Sequence, residues 1–185
     1  AEVARRVPGA TVVVQLDEPS LPAVLLGRIP TASGFGVIRE VPEPDAEAGL
    51  RLVTGRVGVP AGVHCCAAEP PLTVLGRVGA AFVSIDAGLV HRRQDDEIGE
   101  LLEAGTHLLL GIVPTSGDLP RTVSESADPA RLLWRRLSYP AETLASRVTV
   151  TPACGLAGAS PDQAVAVLTR AREVGRALAE APEDT

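Results

Sequence analysis

The chain has 185 residues, of which 45% are hydrophobic and 22% charged, and its formal net charge is −6 at pH 7. This composition is typical of a globular domain rather than a disordered segment, and no apolar run approaches the roughly 20 residues that a membrane span requires. The basic side chains are arginines scattered along an acidic chain, which gives no support for a nucleic-acid-binding surface. The cysteine count, three, is odd, and the given sequence does not open with the basic and then apolar segments of a secretory signal peptide. Both observations argue against a secreted disulfide framework and for a reducing, cytoplasmic compartment.

Five short apolar segments rich in β-branched residues predict buried parallel strands. They span residues 10–19, 61–67, 80–88, 107–115 and 147–155. After the first of them, residues 27–44 form the longest irregular stretch, which we interpret either as a loop over a functional face or as a plain surface loop.

Helical patterns follow the strands. They cover residues 44–57, 69–79, 94–105, 128–137 and 160–181. In the fourth, Asp128 is the predicted N-cap and Pro129 the first helical residue. In the fifth, Ser160 and Gln163 predict a capping box. The predicted core stripe of this last helix is Ala164, Val167, Leu168, Ala171, Val174 and Leu178. Alternating strands and helices predict the α/β fold class, with parallel β-α repeats and right-handed crossovers in a single domain.

Polar side chains lie at the carboxyl end of every predicted strand. These residues are Asp17 and Glu18, His64 and Cys66, Asp86, Thr115 and Ser116, and Cys154. The carboxyl ends of parallel strands meet at one edge of the sheet, where proteins of this class form their sites. We therefore expect these side chains to converge.

The H-x-C spacing gives the candidate site its chemistry. Side chains two residues apart on a strand share a face, so His64 and Cys66 point together and Cys65 points away into the core. Imidazole and thiolate are ligands that zinc prefers; Cys154 can supply a second thiolate and Asp86 an oxygen. A single buried cysteine is more often a packing residue than a ligand, but the combination of these residues favours a zinc site.

Asp17 and Glu18 leave three readings open: a paired acid and base, an exposed turn before Pro19, or a cation-binding edge. Adjacent residues of a strand point to opposite faces, so only one of the two carboxylates faces the site. We interpret Asp17 as the residue that binds an ammonium group of the substrate.

Five segments together resemble a known family. In order, VVVQLDEPSL, VHCC, FVSID, LLLGIVPTSG and VTVTPACGL are similar to strand-end motifs of the catalytic domain of cobalamin-independent methionine synthase. The family shows Q-I-D-E-P-A-L, H-x-C, V-x-x-I-E, G-V-x-D-x-H-S and N-P-D-C-G-L at these places. The resemblance covers nearly the whole chain and is strongest to short actinobacterial methionine-synthase-like proteins.

This resemblance implies a TIM (β/α)8 barrel, of which residues 1–185 correspond to the last five β-α units. The first three units are absent from the chain, and a full barrel takes about 250 residues. An N-terminal barrel segment of the same protein is therefore an expected partner.

The resemblance also implies a function. Zinc would be held by His64, Cys66 and Cys154, with Asp86 at the position of the family's glutamate ligand. The family transfers a methyl group from a methylfolate to homocysteine, a small-molecule thiol whose amino group Asp17 would bind. We expect Glu18 and Ser116 to contact substrate as well.

Two positions depart from the family pattern. Asp86 is one methylene shorter than glutamate, and Ser116 stands where the family has a histidine that protonates the leaving amine. Other functions therefore stay open: methyl transfer from a non-folate donor such as a methylated corrinoid protein, transfer to another thiol, or zinc and thiol binding without turnover. A barrel of the uroporphyrinogen decarboxylase type needs no metal, and the H-x-C pair with Cys154 speaks against it.

Overall fold

The computed structural model of the protein describes residues 2–183, which form one parallel sheet with helices between its strands. The strands are β1 (Val14–Asp17), β2 (Ala61–Cys65), β3 (Phe82–Asp86), β4 (His107–Val113) and β5 (Val148–Pro152). The helices are α1 (Glu2–Arg6), α2 (Leu21–Leu25), α3 (Glu43–Arg56), α4 (Leu72–Arg77), α5 (Asp95–Glu103), α6 (Val123–Arg136), α7 (Leu144–Arg147) and α8 (Pro161–Glu180). Among the described residues, no helix is both long and apolar enough to cross a membrane.

The strand order is β1-β2-β3-β4-β5, and every neighbouring pair is parallel. All five predicted strands and the α/β fold class are thus confirmed. Each strand lies beside its neighbour in the chain, which is the arrangement of consecutive units in a TIM barrel. Within residues 2–183, β1 and β5 each pair with one strand only, so the sheet has two open edges.

The two faces of the sheet differ in character. One face packs on the helices and is fully buried at Val63, Cys65, Val83 and Ile85, as expected for parallel strands covered by crossover helices. The other face carries the alternate residues. These are Gln15 and Asp17 on β1, Gly62 and His64 on β2, Phe82, Ser84 and Asp86 on β3, His107, Leu109 and Gly111 on β4, and Thr149 and Thr151 on β5. The polar side chains of the sheet therefore gather on the face opposite the helices.

Helix α6 begins at Val123, six residues before the predicted first helical residue Pro129. Its N-cap is Thr122, whose hydroxyl accepts a hydrogen bond from Glu125 N at 3.1 Å, while the Glu125 carboxylate accepts one from Thr122 N at 3.2 Å. Pro129 lies inside the helix and Asp128 does not cap it, so that prediction was wrong. The capping box satisfies two backbone donors. The burial of Ser126 and Ala127 offsets the free-energy cost of the backbone hydrogen bond that Pro129, without an N–H, cannot make.

Helix α8 follows its predicted pattern with two differences. Ser160 caps it by accepting from Gln163 N at 3.2 Å, but the Gln163 amide donates to Thr115 O at 3.5 Å instead of closing the capping box. Val167, Ala171, Val174 and Leu178 are buried as predicted, whereas Ala164 is half-buried and Leu168 is 55% exposed. Leu168 lines an apolar groove of about 430 Å³ beside Val148 and Val150 at the open β5 edge.

Candidate metal centre

Three side chains from two distant parts of the chain meet at the carboxyl edge of the sheet. One ligand atom from each of His64, Cys66 and Cys154 lies within 4.8 Å of the other two. The two sulfurs are 3.2 Å apart, with Cys154 Sγ donating to Cys66 Sγ. A tetrahedral zinc with Zn–S bonds of about 2.3 Å holds two thiolates about 3.5–4 Å apart, so a small outward movement would fit it.

The pleat of β2 explains which cysteine joins the group. His64 lies on the face opposite the helices, and Cys66, just past the strand end, continues that alternation. Cys65 is fully buried in the apolar core, as expected for a residue that points to the opposite face of the strand from His64 and Cys66. A shift of the strand by one residue would exchange the two cysteines.

A close approach between β4 and the segment after β5 places Cys154. The register shifts between Gly111 and Val113, and Ala153 N donates to Val113 O at 2.9 Å. A Cβ atom at Gly111 would lie 2.7 Å from Ala153 Cα and 2.8 Å from Ile85 O, closer than packed atoms allow. Glycine at this position therefore lets the backbone before Cys154 approach β4 closely.

The surroundings keep the Cys66 thiol protonated when it has only protein neighbours. Burial raises the pKa of Cys66 to about 11, and the adjacent Cys154 thiol adds to the rise. A bound divalent cation has the opposite effect: it lowers the pKa of a thiol that coordinates it, and the thiol loses its proton. The donor set of one imidazole and two thiols is one that suits zinc, and it leaves a fourth tetrahedral position open.

The group opens onto a cavity of about 430 Å³. Its lining residues are Gln15, Asp17, Pro19, His64, Cys66, Ser84, Thr151, Pro152, Cys154 and Gly155. Asp17 is exposed to it and its Oδ1 accepts a hydrogen bond from Gln15 Nε2 at 2.8 Å. A carboxylate and a soft-metal donor set therefore face the same small space.

Four of the residues expected to converge lie outside this lining, and one of them, Thr115, is half-buried. Asp86 is half-buried, and its Oδ1 accepts from Gly88 N at 2.8 Å. Glu18 donates its backbone N–H to His64 O at 2.8 Å, and Ser116 is exposed in the turn after β4. Their assigned roles stay predictions.

Ser84 is a residue of the site that the sequence analysis missed. It pairs with His64 across β2 and β3, and its Oγ lies 2.9 Å from His64 Nδ1. The signal that could have found it is its position two residues before Asp86 on the same face of one strand.

Comparison with known proteins gives one positive result. The family model described as "Cobalamin-independent synthase, Catalytic domain" matches residues 1–177, which include the whole cavity lining. None of the curated proteins matches the chain.

Proposed function

Because the chain belongs to the family of cobalamin-independent synthase catalytic domains, we propose that it is a zinc-dependent methyltransferase that methylates a thiol, with homocysteine as the acceptor. The single observation that carries this proposal is the meeting of His64, Cys66 and Cys154 beside the carboxylate of Asp17 in one cavity. The family supplies the reaction class, and the side chains of the cavity support the substrate class.

The three donors would hold the ion. Since Ser84 engages Nδ1 of His64, the Nε2 atom is the imidazole nitrogen left for a metal, and Cys66 and Cys154 would bind as thiolates. When bound, zinc would keep an acceptor thiol deprotonated at neutral pH while leaving it nucleophilic.

Asp17 would orient the acceptor. A carboxylate in the cavity can pair with the ammonium group of an amino acid thiol, and the hydrogen bond from Gln15 restrains its rotation. With the amino group at Asp17, the sulfur of the acceptor would be directed toward the His64–Cys66–Cys154 group. In the transfer itself a sulfur–carbon bond forms, the bond between methyl and donor breaks, and the leaving group keeps that electron pair.

The cavity favours a donor whose leaving group needs no proton, and this supports a second candidate function. Among the described residues that line the cavity, His64 is the only histidine. Ser116, at the position of the family's proton-donating histidine, does not line it. His91 lies 3.4 Å from a Glu69 carboxylate oxygen, and His107, at the opposite end of its strand, bonds to Thr149 Oγ1 at 2.8 Å. Transfer from a methylated corrinoid protein, whose leaving group takes no proton, is therefore the alternative to a methylfolate.

The test uses the full-length protein loaded with zinc. Methylfolate and a methylated corrinoid are compared as donors, and homocysteine is compared with 4-mercaptobutyrate, the same thiol without its amino group. We expect thioether product with homocysteine, weaker use of 4-mercaptobutyrate, and loss of that preference in Asp17→Asn. Equimolar zinc binding without product from either donor would contradict the methyltransferase and favour a zinc and thiol-binding module.

A further inference from the structure

Among the described residues, the imidazole of His64 forms one side-chain hydrogen bond, with Ser84. Ser84 Oγ lies 2.9 Å from Nδ1, and the two residues are 4% and 8% exposed. The register gives Ser84 an apolar neighbour on its other side, Leu109, and places Asp17 on the other side of His64. The Asp17 carboxylate already bonds to Gln15 Nε2. Ser84 is thus the partner that fixes the ring.

We propose that Ser84 is a positioning residue that accepts the Nδ1–H of His64 and so presents the Nε2 lone pair to the metal; this rests on the proposed zinc function. A neutral imidazole has one N–H donor and one acceptor nitrogen, and the hydrogen bond of one nitrogen decides the role of the other. If the serine hydroxyl donated to Nδ1 instead, Nε2 would carry the proton and could not bind a metal.

Because the two side chains are buried, losing this hydrogen bond should lower the affinity for the metal. Within residues 2–183, Ser84 Oγ and His64 Nδ1 have no other side-chain partner, so removing the hydroxyl leaves a buried ring N–H unsatisfied. The ring would then be free to rotate or to move its proton to Nε2, and either change costs metal affinity. Loss of such an outer hydrogen bond lowers metal affinity by about 10- to 100-fold.

The experiment measures zinc affinity by chelator competition in the full-length protein. Ser84→Ala should bind zinc about 10- to 100-fold more weakly than wild type, and Ser84→Thr, which keeps a hydroxyl, should recover most of the loss. Thr151→Val is the matched control. Thr151 lines the same cavity, but among the described residues its hydroxyl bonds to no side chain, so its zinc affinity should be unchanged.

A second readout does not depend on the metal. Nitrogen-15 NMR of the metal-free wild type should show the neutral His64 ring protonated at Nδ1, and this preference should disappear in Ser84→Ala. Equal zinc affinities of wild type and Ser84→Ala, or a wild-type ring protonated at Nε2, would overturn the inference. Wild type that binds no zinc contradicts the proposed function, while the ring spectrum still decides the role of Ser84. If Ser84→Ala does not fold, the wild-type spectrum and Ser84→Thr decide it.

Discussion

Two adjacent cysteines have opposite surroundings, and they make a matched pair of variants. Cys66→Ala removes a donor of the three-residue group, so we expect it to abolish stoichiometric zinc binding. Cys65→Ala changes a core side chain on the other face and should leave the zinc content unchanged. Metal analysis of the two purified variants measures both. Loss of zinc in Cys65→Ala with retention in Cys66→Ala would mean that the phase of β2 is wrong.

Asp86 is the predicted zinc ligand whose contribution we expect to be small. Its Oδ1 already accepts from Gly88 N, and zinc, a borderline-soft ion, prefers thiolate to carboxylate. Asp86→Ala should therefore lower zinc affinity much less than Cys154→Ala does, as measured by chelator competition. Equal losses in the two variants would tell against this ranking.

Among single residues, the sequence predicts those whose side-chain type already indicates a function, such as metal binding. His64, Cys66 and Cys154 are soft-metal donors at strand ends, so strand phase and the convergence of strand ends suffice to bring them together. Ser84 carries no such signal, because a serine in an apolar strand is common. Its role depends on the register that sets it opposite His64, and the register appears only with the folded sheet.

The close approach of the segment after β5 to β4 depends on the absence of a side chain at Gly111. In Gly111→Ala the new Cβ would meet Ala153 Cα at 2.7 Å, so the backbone that carries Cys154 must move. We expect a loss of about 1–3 kcal/mol in the free energy of unfolding, together with weaker zinc binding.

The control for this variant is Gly155→Ala, next to Cys154. A Cβ at Gly155 meets nothing within 4 Å, so stability and zinc affinity should stay at the wild-type level. Denaturant unfolding and chelator competition measure the two properties. A Gly111→Ala protein indistinguishable from Gly155→Ala would show that the close approach does not place Cys154.

The contribution of the N-cap of α6 to stability can be measured with two variants of Thr122. Thr122→Ala removes the hydroxyl that bonds to Glu125 N and should cost about 1 kcal/mol of the free energy of unfolding. Thr122→Ser, which keeps the hydroxyl, should cost clearly less. Urea unfolding of both variants measures the difference, and equal losses would contradict Thr122 as the N-cap.

Element types were predictable, and element ends were less so. Both Thr122 with Glu125 and Asp128 with Pro129 are helix-start patterns, and local sequence does not rank them. The burial of Ser126 and Ala127 favours the earlier start, which is a tertiary effect. Leu168 fits the period of the α8 core stripe, yet it lies at an edge of the sheet where nothing among the described residues covers it.

Residues 2–183 form an open sheet with an apolar groove beside its β5 edge. We propose that further β-α units cover the β1 and β5 edges, because unpaired apolar strand edges pair with other chains. The 185-residue chain by itself should therefore self-associate and lack methyltransferase activity. A monomer in sedimentation that also melts cooperatively in calorimetry would contradict this.

A pair of surface variants tests the position of that association. Leu168 is 55% exposed in the groove at β5, and Leu132 is 49% exposed on α6. Leu168→Glu should reduce self-association of the chain, because a charge in the groove opposes apolar contact. Leu132→Glu should leave it unchanged. Equal effects of both substitutions in sedimentation would place the contact elsewhere.

The strand order also has a consequence for biosynthesis. Each strand docks on the one made just before it, so the sheet can grow in step with translation. His64 and Cys66 leave the ribosome together, but Cys154 follows Cys66 by 88 residues. A nascent chain therefore carries two soft-metal donors for the whole time that β3, β4 and their helices are being made. Because the third donor arrives only with the segment after β5, the proposed zinc site can form only once β5 has been made, and a bound ion would then close the loop between Cys66 and Cys154.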